Sequence, residues 1–120
     1  MTQFEKVWKE YASKGTAPEL QPLVKEVYDG LLSQPAELNQ IKTSLENLMR
    51  FLSDPQGRTQ NNCLTVENFF SDLSDEWRKD VLDLPSEYKG ILDEIEVLTT
   101  AEGKAQPAAE GILKMVQSLK

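Results

Sequence analysis

The sequence contains no histidine, and this absence excludes several kinds of catalytic and metal site. Zinc sites built from cysteine and histidine need imidazole ligands, and the Ser-His and Cys-His pairs of many hydrolases need an imidazole base. The di-iron clusters that some helical bundles build from carboxylates and histidine are excluded for the same reason. We therefore expect a protein without enzymatic activity, bound metal or cofactor.

Cysteine is almost absent as well, and long apolar runs are missing. The single cysteine, Cys63, allows no internal disulfide, which is typical of proteins from a reducing compartment. No apolar run approaches the roughly 20 residues that a membrane-spanning helix needs. The first residues also lack the basic stretch and apolar block of a secretory signal. We expect a cytoplasmic protein that does not bind membranes.

The overall composition is that of an ordinary globular protein. Hydrophobic residues make up 39% of the 120 residues and charged residues 28%, which is too apolar for a disordered chain. A chain of this length suits one hydrophobic core. We therefore expect a single domain over residues 1–120.

Apolar residues recur at spacings of three and four along most of the chain, which is the period of an amphipathic α-helix. The longest such stripe runs from Leu38 to Leu52, in a helix expected to begin at Pro35, because proline is tolerated in the first helical turn. The same pattern predicts helices over 3–13, 20–33, 35–53, 86–98 and from Pro107 onward, with 99–106 as a linker.

The segment from Asp54 to Leu84 begins with a turn signal. Asp54, Pro55 and Gly57 occupy the first, second and fourth positions that favour a type I turn. Thr59 then suits the N-cap of a further helix. Because Ser74 resembles a second N-cap, we expect this helix to break near 71–74, the alternative being one long kinked helix. No segment alternates as a strand does, so the predicted fold is an all-α, compact antiparallel bundle of about six or seven helices without a sheet.

Two local features leave alternatives open. Gly30 lies late in the helix over 20–33, where either fraying or the close approach of a neighbouring helix explains a glycine. Phe69 and Phe70 are adjacent, and side chains of neighbouring helical residues point about 100° apart. Most aromatic residues suit core packing, but one member of this pair is expected to border a groove or a subunit interface.

Charge is concentrated in residues 67–96, which hold ten acids and three bases and so account for the whole net charge of −7. Such a region repels phosphate backbones, so we expect no nucleic-acid binding. Asp72, Glu76, Asp80 and Asp83 follow at spacings of four, four and three, along one line of a helix. The functional interpretation is an acidic face that binds a partner with a basic patch. The alternative is a solvated face that keeps the protein soluble.

A second group of candidate residues lies at a predicted helix start: Arg58, Thr59, Asn62 and Cys63. Helix N-termini favour anions, and a cysteine near one can have a lowered pKa. Cys63 also lies at helical spacing from Val66, Phe70 and Leu73, on the apolar side of the predicted helix. This position favours the interpretation of Cys63 as a small core residue over that of a reactive thiol.

These observations favour a non-enzymatic helical module for protein interaction or regulation, with an acidic contact face. The alternative function is a helical bundle that binds a small ligand or anion in a pocket near Arg58–Cys63. The C-terminal helix is expected to pack on its own bundle, the alternative being an arm that docks in a partner's groove. The sequence leaves open whether the protein forms a homo-oligomer.

Overall fold

The computed structural model describes residues 3–12, 14–33, 37–80, 84–96, 98 and 105–119, and the side chains of these except 3, 72–80 and 105–108. The helices in these ranges are α1 (Gln3–Tyr11), α2 (Leu20–Leu32), α3 (Leu38–Ser53), α4 (Gln60–Asp80), α5 (Ser86–Ile95) and α6 (Ala105–Gln117). The same ranges contain no strand. The predicted all-α bundle is therefore confirmed. Pro35 and residues 99–104 of the predicted linker lie outside the described ranges, whereas residues 105 and 106, also predicted as linker, belong to α6.

Helix α3 makes the most extensive helix–helix contacts of the described structure, with α6 and α2. Its apolar stripe is fully buried from Ile41 to Leu52, as its three- and four-residue spacing predicts. Helix α6 covers one side of this stripe with Ile112 and Val116, both buried. The Lys42 Nζ donates a hydrogen bond of 2.7 Å to the Leu119 carbonyl. The C-terminal helix thus packs on its own bundle.

Close contact between α2 and α3 explains Gly30. A Cβ built on Gly30 would lie 3.0 Å from Ile41 Cγ1 and 3.5 Å from the Ile41 nitrogen. The Gln40 Nε2 donates a hydrogen bond of 3.4 Å to the carbonyl of Glu26, one turn earlier on α2. Of the two alternatives, close helix approach is therefore the one the structure supports.

Helix α4 continues without interruption from Gln60 to Asp80, so the predicted break near 71–74 is wrong. The segment from 58 to 84 contains neither glycine nor proline, so nothing in the backbone forces the helix to end. At 1.5 Å per residue the helix is about 31 Å long. Ser74 resembles an N-cap residue, but continuing the helix keeps hydrogen bonds that a break would lose.

Phe69 lies at the centre of a group of rings that joins α1, α2 and α4. We call it the aromatic cluster; it comprises Phe4, Trp8, Tyr11, Tyr28, Phe69 and Phe70. The ring centroid of Phe69 lies 5.6–6.3 Å from those of the other five members, each pair edge to face. Phe69 and Phe70 are both fully buried, so the expectation that one borders a groove is wrong. Both can be buried because α4 is contacted by three helices, α1, α2 and α5, which cover a wide arc of its surface.

Five helix ends differ from the sequence prediction by one to three residues. Helix α1 ends at Tyr11 rather than at 13, α2 ends at Leu32 rather than at 33, and α6 begins at Ala105 rather than at 107. Helix α3 begins at Leu38 rather than at residue 35, and α5 ends at Ile95 rather than at 98. Leu38 is consequently in the first turn of α3 and is 37% exposed, although its spacing placed it on the buried stripe. This exposed leucine lines a cleft that α3 forms with α5 and α6.

Candidate functional site

The predicted acidic face falls mainly on α4, beyond the part whose side chains the structure describes. Positions 72, 76 and 80 lie on the continuous helix, so their four-residue spacing keeps them along one side of its backbone. Their side chains are outside the described set, and Asp83 is outside it altogether. An acidic face formed by Asp72, Glu76, Asp80 and Asp83 stays a prediction.

Helix α5 carries three of the five acids in residues 67–96 whose side chains the structure describes. Its carboxylates Glu87, Asp93 and Glu94 are exposed, while Tyr88 and Ile91 are buried against the bundle. The acidic side chains thus lie on the solvent side of an amphipathic helix.

The turn before α4 forms as its sequence predicts. The Gly57 N–H donates to the Asp54 carbonyl at 2.9 Å, and the Gln56 N–H donates to Asp54 Oδ1 at 2.9 Å. Thr59 then caps α4, because its Oγ1 accepts a hydrogen bond of 3.1 Å from the Asn62 N–H. A Cβ on Gly57 would lie 1.9 Å from the Phe51 carbonyl oxygen, so this position requires glycine.

Asn62, one of the predicted ligand residues, connects two parts of the chain. Its Nδ2 donates to the Gly57 carbonyl at 2.8 Å, and its Oδ1 accepts from the Ala17 N–H at 2.8 Å. The side chain is only 1% exposed, and a buried amide is stable only when it is hydrogen-bonded. Asn62 therefore fastens the connector between α1 and α2 to the turn before α4.

Thr65 extends this polar contact by one helical turn. Its hydroxyl donates to the Asn61 carbonyl at 2.8 Å and lies 2.9 Å from the Thr16 hydroxyl. The Tyr11 carbonyl lies 3.4 Å from the same oxygen. Together Asn62 and Thr65 hold the end of α1 and the following connector against α4.

Cys63 is fully buried beside these polar groups. Burial raises the pKa of its thiol from 9.0 to about 11, and the Glu67 carboxylate adds a smaller increase. The thiol is therefore protonated at neutral pH, which lowers its nucleophilicity. This agrees with the interpretation of Cys63 as a core residue. A ligand or anion held by Arg58, Thr59, Asn62 and Cys63 stays a prediction.

A cleft of about 570 Å³ opens between the start of α3, α5 and the end of α6. We call it the apolar cleft; its lining residues are Leu38, Pro85, Glu87, Tyr88, Gly90, Ile91, Met115, Ser118 and Leu119. Leu38 and Met115 are 37% and 38% exposed, so the cleft presents apolar side chains to solvent. Its volume lies within the range of roughly 300–1,000 Å³ typical of ligand-binding clefts.

The polar groups of the apolar cleft are few. Among its lining residues Glu87 carries the charge, and Ser118 and Tyr88 supply hydroxyl groups. Burial raises the pKa of the Tyr88 phenol, and the neighbouring Glu87 carboxylate raises it further. Tyr88 is therefore neutral at physiological pH. The cleft can accommodate apolar groups and can attract a cation at the Glu87 edge.

The apolar cleft is not predicted from the sequence. The two available signals were Gly90, a glycine inside an otherwise regular amphipathic helix, and Met115, beside the apolar stripe of α6. A Cβ on Gly90 would meet no atom within 4 Å, so this glycine marks open space. Neither signal tells from the sequence which helices surround that space.

A second, more polar groove of about 510 Å³ runs between α2 and α3. It is lined by Glu26, Asn39, Gln40, Thr43, Ser44 and Asn47. The hydrogen bond from Gln40 to the Glu26 carbonyl crosses between the two helices here. This groove presents amide and hydroxyl groups with no large apolar side chain.

Within the described part of the chain, no helix is both long and apolar enough to cross a bilayer. The residues described there also include no group of three or more carboxylate or cysteine side chains placed to share a metal ion. Comparisons of the chain with protein-family models, curated proteins and solved structures found no match.

Proposed function

We propose that this protein is a non-enzymatic helical interaction module, which acts in the cytoplasm and binds a basic partner protein through its acidic region. What supports the proposal is the concentration of ten acids and three bases in residues 67–96, while the rest of the chain is balanced. A basic partner would gain attraction and faster association from such a surface, whereas nucleic acid would be repelled.

The arrangement of α5 supports the same proposal. Exposed carboxylates lie along α5, and one of them, Glu87, lines the apolar cleft, so charge and uncovered apolar surface occur side by side. Interfaces between proteins commonly combine an apolar centre with a charged rim. A face that served solubility alone would need the charge but not the neighbouring apolar surface.

The test is affinity purification of the protein with its partners at increasing salt. We expect a partner that is released as salt rises and that is lost when Asp72, Glu76 and Asp80 are all replaced by lysine, because exposed charge pairs are screened by salt. Retention that is indifferent both to salt and to this triple replacement would contradict the proposal.

A matched control replaces three exposed acids outside the acidic region, Glu10, Glu19 and Glu26, by lysine. Both triple variants change the net charge by the same amount. If net charge alone mattered, both would release the partner equally. We expect the control variant to retain it.

A further inference from the structure

The apolar cleft is placed so that a partner of the acidic region would meet it. Its floor is formed by Tyr88 and Ile91 of α5, and its open edges by Leu38 and Met115. Exposed apolar side chains around a concave surface are typical of binding sites. Met115 is well suited to such a surface, because the unbranched thioether adapts to different contacts.

Gly90 makes the α5 side of the apolar cleft accessible. It lines the cleft, and a side chain added there would meet no atom within 4 Å. An occupant can therefore approach the backbone of α5 closely at this point. The same open space allows a large side chain to be introduced at residue 90 without displacing the core.

The charges on this side of α5 favour a cationic occupant. Glu87, Gly90 and Ile91 all line the apolar cleft. Glu94 follows three residues after Ile91 and seven after Glu87, so it lies on the same side of the helix. Glu87 and Glu94 are exposed, and two helical turns separate them by about 10.5 Å. Gly90 and Ile91 thus have a carboxylate about one helical turn away on either side along α5.

We propose that the apolar cleft receives the apolar stripe of a basic amphipathic helix from the partner protein. Lysine or arginine residues seven positions apart on that helix would have the same spacing of about 10.5 Å and would pair with Glu87 and Glu94. Large apolar side chains between them would enter the cleft beside Gly90, as in helix-in-groove recognition. This inference rests on the proposed function, since it takes the partner to be basic.

The experiment measures binding of fluorescein-labelled synthetic peptides to the purified protein by fluorescence anisotropy. The probe peptide is an 18-residue helix with a leucine and tryptophan stripe and lysines at positions seven apart. One comparison peptide carries glutamate for each lysine, and a second carries glutamine for each apolar residue. We expect the probe to bind and both comparison peptides to bind at least about tenfold more weakly.

Two protein variants locate the binding. Gly90→Leu fills the open space of the cleft, whereas Gly111→Leu changes a helical glycine that is exposed, has equally open surroundings and does not line the cleft. We expect the first variant to weaken probe binding at least about tenfold and the second to change it less than about twofold. Thermal unfolding of both variants verifies that they fold.

Chemical shifts of the wild-type protein provide a readout that needs no variant. Addition of the probe should shift the amide signals of Leu38, Gly90, Met115 and Ser118. Shifts confined to other parts of the bundle would overturn the cleft as the site. So would equal binding of the glutamine peptide, or protection of the cleft by self-association of the protein in the absence of peptide.

The outcomes separate this inference from the proposed function. If the probe binds and the glutamate peptide does not, but Gly90→Leu leaves binding unchanged, the acidic surface binds basic partners and the cleft assignment is wrong. Absence of probe binding at about 1 mM, an affinity of roughly −4 kcal/mol, also overturns the cleft assignment. The proposed function is judged separately, by loss of the purified partner on replacement of Asp72, Glu76 and Asp80.

Discussion

The aromatic cluster and the apolar cleft both consist mainly of apolar side chains. They differ in how completely the rest of the chain covers those side chains. In the cluster, Phe69 is in contact with five other rings and is fully buried. The neighbouring polar atoms of Asn62 and Thr65 are hydrogen-bonded within the chain. In the cleft, Leu38 and Met115 remain more than a third exposed. The cluster is a completed core, whereas the cleft is apolar surface that the chain does not cover.

This difference assigns different roles to the two regions. Completed apolar packing contributes to the free energy of unfolding, because apolar area is removed from water. Uncovered apolar surface contributes little to folding and is available to a partner. Substitutions in the aromatic cluster should therefore change stability, and substitutions in the apolar cleft should mainly change binding.

The largest effect is expected from Phe69→Ala. Removing the central ring leaves a cavity among five others and should lower the free energy of unfolding by about 3–5 kcal/mol. Met115→Ala in the apolar cleft should lower it by less than about 1 kcal/mol, because that side chain is already partly hydrated. Urea-induced unfolding followed by circular dichroism measures both. Equal losses for the two variants would contradict the division between core and open surface.

A smaller effect is expected at high pH from Cys63, which is buried in the same hydrophobic core as the aromatic cluster. Above pH 9 the thiol ionises in the unfolded chain, while the folded protein keeps its proton up to a pKa of about 11. The unfolded state then binds fewer protons, so the free energy of unfolding falls between these pH values, by up to about 3 kcal/mol. Below pH 9 the thiol is protonated in both states, so it causes no change of the free energy of unfolding with pH.

Cys63→Ala provides the reference for that measurement, because the ionisation of all other groups cancels between the two proteins. The stability advantage of the wild type over Cys63→Ala should shrink as pH rises from 9 toward 11. At neutral pH, Cys63 should react with maleimide more slowly than free cysteine does until the protein is unfolded. A pH-independent difference, or a fast native reaction, would show that the thiol is not enclosed.

The smallest pair of effects concerns two glycines and has opposite signs. Gly57→Ala places a Cβ where the Phe51 carbonyl lies and should lower the free energy of unfolding by about 1–3 kcal/mol. Gly90→Ala places a Cβ in the open space of the cleft and should raise it by about 1 kcal/mol, through better helix propensity. Urea unfolding again provides the measurement. Destabilisation by Gly90→Ala would show that the cleft is more closely packed than described.

Much of the fold could be predicted from the sequence because its signals are local. The apolar spacing of α3, the turn from Asp54 to Gly57 and the Thr59 cap each depend on residues within a few positions of one another. The candidate site could be predicted only in part. The acidic region is visible in the sequence, whereas the apolar cleft combines residues from Leu38 to Leu119, which are distant along the chain.

The sequence by itself determined that the chain is helical, where most helices lie and where the negative charge gathers, because periodicity and composition act within single segments. Only the tertiary structure decided that α4 continues through Ser74 and that both Phe69 and Phe70 are covered. It also decided that α3 packs closely against α2 at Gly30, whereas Gly90 faces open space. These properties depend on which helix surfaces meet, and that is set by the packing of the whole bundle.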